Sequence, residues 1–187
     1  MKYRLVREED APNLLKIYKP YVEKTAITFE YELPSIEEFR QRIIKISSIF
    51  PYIVVIDDND KIIGYAYANS YRERKAYDWV VELSIYLDEN ERGHHVGYKL
   101  YRRLLAALTT LNYHRAYACI TYPNDLSHAF HEKFGFREIG VMEKSGYKFS
   151  QWWGIEWMDL ALQESDDVKD TLRISDLDDS EIEEILK

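Results

Sequence analysis

The stretch Trp79-Val-Val-Glu-Leu-Ser-Ile-Tyr-Leu87-Asp-Glu-Asn-Glu-Arg-Gly-His-His-Val-Gly97 decides the fold. In its first nine residues the odd positions, Trp79, Val81, Leu83, Ile85 and Leu87, are all apolar. That is the period of a strand with one face in a core. The even positions are Val80, Glu82, Ser84 and Tyr86. This second face is partly polar, in a strand too apolar to lie free at an edge, so it is expected to line a cleft. The strand runs into a loop holding Gly93 and Gly97, two of only seven glycines in the chain. A helix follows, marked by Val96, Leu100, Leu104, Leu108 and Leu111 at near-helical spacing. Strand, glycine-bearing loop and helix start together form an anion site, because free backbone N–H groups and the positive end of the helix dipole point outward. Arg92, Lys99, Arg102 and Arg103 add positive charge. The loop matches neither the Walker pattern nor the dinucleotide glycine pattern. Its other reading is an ordinary strand-to-helix turn with a solvated basic face.

Toward the N-terminus, Tyr52–Ile56 and Lys61–Ser70 read as a hairpin around Asp57-Asp-Asn-Asp60. Gly64 in its second arm hints at a bulge or a close backbone approach. Lys2–Arg7 reads as a first strand, followed by a helix from Glu9 to Tyr18 with Pro12 in its first turn. Ser35-Ile-Glu-Glu38 has capping-box spacing and starts a second helix that ends before Pro51. Toward the C-terminus, His114–Thr121 is a strand. A helix after Pro123-Asn124 ends near Phe134 with Gly135 as its cap. Phe136–Met142 and Gln151–Leu162 are the closing strands. The order β-α-α-β-β-β-α-β-α-β-β predicts an α/β (α+β) mixed sheet of about six to seven strands flanked by about four helices. One domain is expected over residues 1–162. Residues 163–187 are set apart as an acidic C-terminal extension. A short helix after Asp179 or Ser180 is expected there, its apolar side docking on the body or on a partner subunit.

Composition narrows the function. The chain has 187 residues, 46% hydrophobic and 14% aromatic, which suits a globular domain. It lacks an apolar run of about 18 residues, so no membrane span is expected. The start, Met1 to Asp10, is too polar for a signal peptide, and a cytoplasmic location is expected. The net charge is −8. Ten acidic and three basic residues between Gln163 and Lys187 account for −7 of it. A near-neutral body argues against a nucleic-acid partner. The single cysteine, Cys119, excludes an intrachain disulfide and reads as a small buried hydrophobe. His128 and His131 lie one helical turn apart, a spacing that suits a metal. No third ligand is visible for them or for the His94-His95 pair, so no metal is expected.

Two sets of residues carry candidate chemistry. Glu82, cleft-facing and beside Trp79 and Tyr86, can have a raised pKa and serve as a general base. An ion-paired strand glutamate is the alternative. Arg72 and Arg74, an i, i+2 pair in an extended segment, can hold a carboxylate and a second oxyanion. A solvated loop is the alternative there.

Six blocks in order carry a resemblance. They are Thr28-Phe-Glu30, Tyr71-Arg-Glu-Arg-Lys-Ala-Tyr77, Val81-Glu-Leu-Ser-Ile-Tyr86, Arg92-Gly-His-His-Val-Gly97, Asn124-Asp-Leu-Ser127 and His131-Glu-Lys-Phe-Gly-Phe136. Over residues 2 to 162 the chain resembles the GNAT N-acetyltransferase superfamily, and within it the phosphinothricin and methionine sulfoximine acetyltransferase family. The resemblance implies a GNAT fold, acetyl-CoA as co-substrate and a small amino-acid-like amine as acceptor. It also implies a homodimer. The main chain of Leu83, Ser84 and Ile85 would pair with the pantetheine arm like an added strand. Arg92, Gly93, His94, His95, Val96 and Gly97 would cradle the pyrophosphate, and Asn124 and Ser127 would contact the CoA arm. Glu82 falls on the proposed base. His131 falls where many relatives place a tyrosine near the thiol, which implies a general acid. Phe29, Glu30, Arg72 and Arg74 fall on the substrate pocket. One departure is visible: His95 stands at the first glycine of the pyrophosphate pattern, where glycine allows close approach and unusual dihedrals.

These roles lead to direct transfer from thioester to amine without an acyl-enzyme. Two other readings remain open. One is the same chemistry on a protein N-terminus or a polyamine, the latter disfavoured by the arginine pair. The other is a degenerate acyl-CoA-binding regulatory module.

Overall fold

A computed structural model describes residues 1–91, 95–165 and 167–187. Seven strands build one sheet: β1 (Lys2–Leu5), β2 (Tyr52–Ile56), β3 (Ile62–Ser70), β4 (Val80–Leu87), β5 (Arg115–Tyr122), β6 (Arg137–Lys148) and β7 (Gln151–Ala161). Their order is β1-β2-β3-β4-β5-β7-β6. Every neighbouring pair is antiparallel except β4 and β5. The helices are α1 (Ala11–Lys24), α2 (Ile36–Ser47), α3 (Val96–Thr110), α4 (Asp125–Glu132) and α5 (Asp179–Leu186). The expected element order holds, and the fifth helix is the short one expected in the extension. None of the described helices is long and apolar enough to cross a membrane.

The alternation in β4 is realised as two cores. Val81 and Leu83 pack under α3 with Val96, Leu100, Tyr101, Leu104 and Leu108. Tyr86 turns to the other face, where α1 and α2 bury Leu14, Tyr18, Val22, Phe39 and Ile43 against Tyr52, Val54 and Tyr65. Ser35 and Glu38 form the expected reciprocal cap of α2.

Several boundaries differ from the pattern-based reading. β1 stops at Leu5. α1 continues past Tyr18 to Lys24 with Pro20 inside. Proline removes one helical hydrogen bond, but the following turn buries Val22 almost completely, and that burial outweighs the loss. β6 runs on to Lys148 because it pairs with β7 across a two-residue turn, Phe149-Ser150. Both turn residues have positive φ, 53° and 61°, as the twist of a tight hairpin demands.

The extension is docked on the body. The Trp79 Nε1–H donates to the Lys169 carbonyl at 2.7 Å. Leu172 N–H donates to the Leu111 carbonyl and Ile174 N–H to the Ile49 carbonyl, both at 3.0 Å. Ile174 and Leu177 are buried in the α3 core, and Ile182, Ile185 and Leu186 pack against it. Asp178, one residue before the expected position, caps α5. The Arg103 guanidinium lies 3.7 Å from the centre of the Tyr3 ring. It donates to the carbonyls of Leu186 and Lys187.

Candidate active site

β4 and β5 pair in parallel over only three residues, Val80↔Arg115, Val81↔Ala116 and Glu82↔Tyr117. Beyond Glu82 the two strands part. The wedge between them is lined by Leu83, Ser84, Ile85 and Tyr86 on one side and Ala118, Cys119, Ile120 and Thr121 on the other. Asn124, Ser127 and His131 line it from α4, and Ile27 from the α1–α2 loop. On its far side β4 stays paired with β3, Leu83 with Ala68 and Ile85 with Ala66. The cleft-facing backbone groups of residues 83 to 85 are therefore left without a strand partner. An extended ligand can satisfy them as an added strand would.

Glu82 stands at the apex of the split, half-buried between Asn69 on β3 and Tyr117 on β5. Among the described residues no ion pair or hydrogen bond engages its carboxylate, which removes the reading of an ion-paired strand glutamate. Burial pushes its pKa up, because a charge leaving water without a partner favours the proton. Cys119 lies on the same face of β5 as Tyr117, two residues on, and lines the cleft rather than the core. Burial, with the nearby Glu82 charge, pushes its thiol up to about 12. A thiol held protonated is a poor nucleophile.

On α4, Asn124 caps the helix by accepting from Ser127 N–H at 3.2 Å. His131 is buried among Tyr101, Phe130 and Phe136, and its Nδ1 donates to the Ser127 carbonyl at 2.8 Å. Burial lowers its pKa, which keeps the ring neutral. With that proton given to Ser127, it acts as an acid only by passing on a proton at its second ring nitrogen.

At the start of α3, His95 is the N-cap residue, with φ 57° and no side-chain cap. It therefore adopts the left-handed conformation that glycine would take without cost, at an expense of about 1–2 kcal/mol. Val96 and Gly97 are buried. A Cβ on Gly97 would come within 3.1 Å of the Leu87 side chain, so glycine is what lets helix and strand approach. The helix amides thus stay free of an internal side-chain cap, as an anion site requires. Arg92, Gly93 and His94 lie outside the described residues.

The acetyltransferase (GNAT) domain family matches residues 3–157. This chain belongs to the GNAT acetyltransferase family. It is 35% identical over 158 residues to phosphinothricin N-acetyltransferase of Streptomyces coelicolor, covering 83% of this chain and 92% of that one. It is 28% identical to the L-methionine sulfoximine/L-methionine sulfone acetyltransferase of Pseudomonas aeruginosa, over 82% of this chain and 90% of that one. Its fold superposes on a phosphinothricin acetyltransferase from Sinorhizobium meliloti, solved in complex with AcCoA. The TM-score is 0.86 and the identity 33%, over 90% of this chain and 92% of that one.

In this GNAT acetyltransferase the remaining candidate residues, Phe29, Glu30, Arg72 and Arg74, lie on loops. Phe29 lies against the β6–β7 hairpin, where a Cβ at Gly146 would strike its ring. The Glu30 carboxylate accepts from Arg42 at 2.5 Å. Tyr67, whose hydroxyl bonds Ser84, feels the charges of both Glu82 and Glu30. Arg72 and Arg74 do not sit on an extended segment. The β3–β4 loop bends and closes with a 3-10 turn at Lys75–Tyr77, so the i, i+2 argument for their sharing one side does not hold. Arg72 instead lies 5.1 Å over the Tyr71 ring. Tyr71 packs on Tyr117 and Trp157 at 4.7 and 5.8 Å. Through Tyr71, Arg72 is thereby linked to Tyr117, the β5 residue opposite Glu82, and both arginines are exposed.

Residues that sequence reading missed hold the loop between α1 and α2. Lys148 is buried, and its Nζ donates to the carbonyls of Val22, Thr25 and Thr28, each at 2.8 Å. Thr121 donates to the Ala26 carbonyl at 2.5 Å. A lysine in an otherwise exposed hairpin gave no periodic signal. Lys148→Met should cost about 2–4 kcal/mol, since it orphans carbonyls at the end of α1. Denaturant unfolding measures this, and an unchanged midpoint would refute it.

Proposed function

We propose that this GNAT acetyltransferase transfers the acetyl group of acetyl-CoA to the primary amine of a small zwitterionic amino acid with an oxygen-rich side chain. Phosphinothricin, methionine sulfoximine and methionine sulfone have that shape; relatives named for these compounds match most of its length, and a phosphinothricin acetyltransferase of known structure has a similar fold. The observation that carries the reading is the split between β4 and β5, which leaves an unpartnered, half-buried carboxylate beside a run of unpaired backbone. Residues 1–162 form the catalytic unit in this reading, and residues 163–187 brace it.

Leu83, Ser84 and Ile85 hold the pantetheine arm, Asn124 and Ser127 contact it, and the loop from residue 92 to Gly97 holds the pyrophosphate. Phe29, Glu30 and Arg72 form the acceptor side, and the family resemblance alone adds Arg74 to it. Glu82 takes a proton from the substrate ammonium, directly or through water. The freed nitrogen lone pair attacks the thioester carbonyl, forming the C–N bond. A backbone N–H of the 83–85 segment donates to the oxyanion. The C–S bond then breaks, the nitrogen sheds its second proton to leave a neutral amide, and the departing thiolate takes up that proton. His131 lines the cleft and is the candidate general acid, relaying that proton through its second ring nitrogen while Nδ1 stays on the Ser127 carbonyl. Holding amine and thioester together supplies much of the rate.

Initial-velocity kinetics with acetyl-CoA and an amino-acid panel test the scheme. Intersecting lines and selective turnover of the sulfoximine or phosphinothricin type are expected. Parallel lines with an acetylated Cys119 would overturn direct transfer. Cys119→Ala should keep turnover within about threefold, because a protonated thiol has no step to perform.

The dimer is read as a contact between β6–β7 hairpins of two copies. Ile139, Met142, Tyr147, Phe149 and Trp152 are exposed there beside an edge strand that invites pairing. Met142→Glu with Trp152→Glu should halve the mass seen by light scattering. An unaltered mass would move the interface elsewhere.

A further inference from the structure

The two histidines of α4 do not share a site. His131 is enclosed by aromatic rings, whereas His128 faces acidic residues of β6 and β7. Ligand atoms of His128, Glu138 and Glu156 lie within 4.8 Å of one another. His128 Nδ1 is 2.6 Å from the Glu156 carboxylate, and its Nε2 is 3.4 Å from Glu132. We propose that His128, Glu138 and Glu156 form a binding site for one divalent transition-metal ion of the zinc class, with Glu132 orienting the imidazole.

Charge is the first argument. Three carboxylates, Glu132, Glu138 and Glu156, gather around one imidazole. Among the described residues no lysine or arginine forms an ion pair with any of them. The nearby Arg137 and Arg115 are both turned to Asp159. Glu156 is only 3% exposed, so water does not solvate its charge. Even a protonated imidazole leaves the cluster two charges negative, with Glu156 buried while Glu132 and Glu138 are exposed to water. A divalent cation balances it.

Ligand chemistry is the second. One imidazole nitrogen with carboxylate oxygens is a donor set for zinc or its neighbours and not for calcium or magnesium, which take oxygen shells. A tetrahedral zinc site with bonds of about 2.0–2.1 Å sets its donors about 3.4 Å apart. The 2.6 Å contact of His128 with Glu156 opens to that spacing when an ion enters, and the exposed side chain of Glu138 closes the remaining distance by a rotamer change. The backbone supports this placement: the β6–β7 register shifts between Glu138 and Gly140, and bulges re-aim side chains. The contact of Glu132 with the second ring nitrogen reproduces the carboxylate–histidine–metal relay that fixes imidazole ligands. The three donors come from α4, β6 and β7, which is why the i, i+3 histidine spacing gave no third ligand. The site is separate from the acyl-transfer cleft, yet His128 adjoins Ser127, so a bound ion would pin α4 to the sheet.

The test uses protein bearing no polyhistidine tag, stripped with chelator and dialysed. Calorimetric titration with Zn2+ should give one saturable equivalent and a higher unfolding temperature, while Mg2+ and Ca2+ give neither. His128→Ala and Glu138→Gln should each weaken binding by about 10–100-fold. Glu138 is exposed, so its variant keeps the fold and serves if a change at His128 or Glu156 does not. Absence of a saturable equivalent, or binding that both variants leave unchanged, would overturn the site. A response to Mg2+ or Ca2+ equal to that of Zn2+ would overturn its assigned class.

Discussion

Glu82→Gln lowers kcat/KM by about two to four orders of magnitude, the usual worth of a positioned general base, and does so without loss of stability. The two halves of this expectation have one cause. Burial raises the Glu82 pKa above its ordinary range, so the native state holds the proton more tightly than the unfolded chain. A carboxyl raised in this way disfavours folding at pH above its folded pKa, and the penalty vanishes below its unfolded pKa. Glutamine carries no charge to desolvate. The variant should therefore melt at the same temperature as the parent at neutral pH, or higher. The rate has the opposite dependence, because only the carboxylate can accept the ammonium proton. On falling pH, log kcat/KM of the parent should drop with unit slope through the raised pKa of Glu82, and this limb should be absent from the glutamine variant. Stability and activity are thus in opposition at this residue, as expected where an active site holds strain or charge that the fold alone would discard. Near-parental turnover by the glutamine variant would remove Glu82 from the base role. An unaltered acid limb would assign that limb to another group.

Much of this arrangement was legible because β4 carries its information in a strict two-residue period. Trp79 to Leu87 could be split into a core face and a cleft face by inspection, and Glu82 fell on the cleft face. The point at which β4 and β5 separate was not legible. It depends on register, and nothing local in Arg115 to Tyr122 marks where parallel pairing stops. Cys119 was misplaced for the same reason: it shares a face with Tyr117, and Tyr117 with Glu82, only once the register is known. The bend at Tyr71–Tyr77 escaped because it is fixed by rings from β5 and β7, which lie far away in sequence. Lys148 escaped because its three acceptors are carbonyls, which side-chain patterns do not record. His95 was visible as a departure from a glycine pattern, and its φ of 57° locates the cost in the backbone.

Removing residues 163–187 should cost the domain most of its stability, although the matched family domain ends at Trp157. The apolar residues in this acidic stretch were legible, but not the surface that covers them. Ile174 and Leu177 are 5% and 9% exposed and belong to the same core as α3. Deleting the buried part of one such side chain costs about 2–5 kcal/mol, against a total of about 5–15 kcal/mol for a typical domain. The deletion also strips the backbone partners of Ile49, Leu111 and Trp79 and frees Arg103 from the end of the chain. A chain ending at Leu162 is thus expected to be insoluble or to melt at least about 10 °C lower. The milder Leu177→Ala should lower the melting temperature by about 5 °C or more and remain soluble, which makes the expectation measurable in either case. Arg103 sits on α3, the helix whose first turn is assigned to the pyrophosphate. Loosening the extension should therefore raise KM for acetyl-CoA more than it lowers kcat. A truncated chain with parental melting temperature and parental KM would make the extension a passenger. Lowered stability with unchanged KM would confine its role to the core and leave the cofactor helix independent of it.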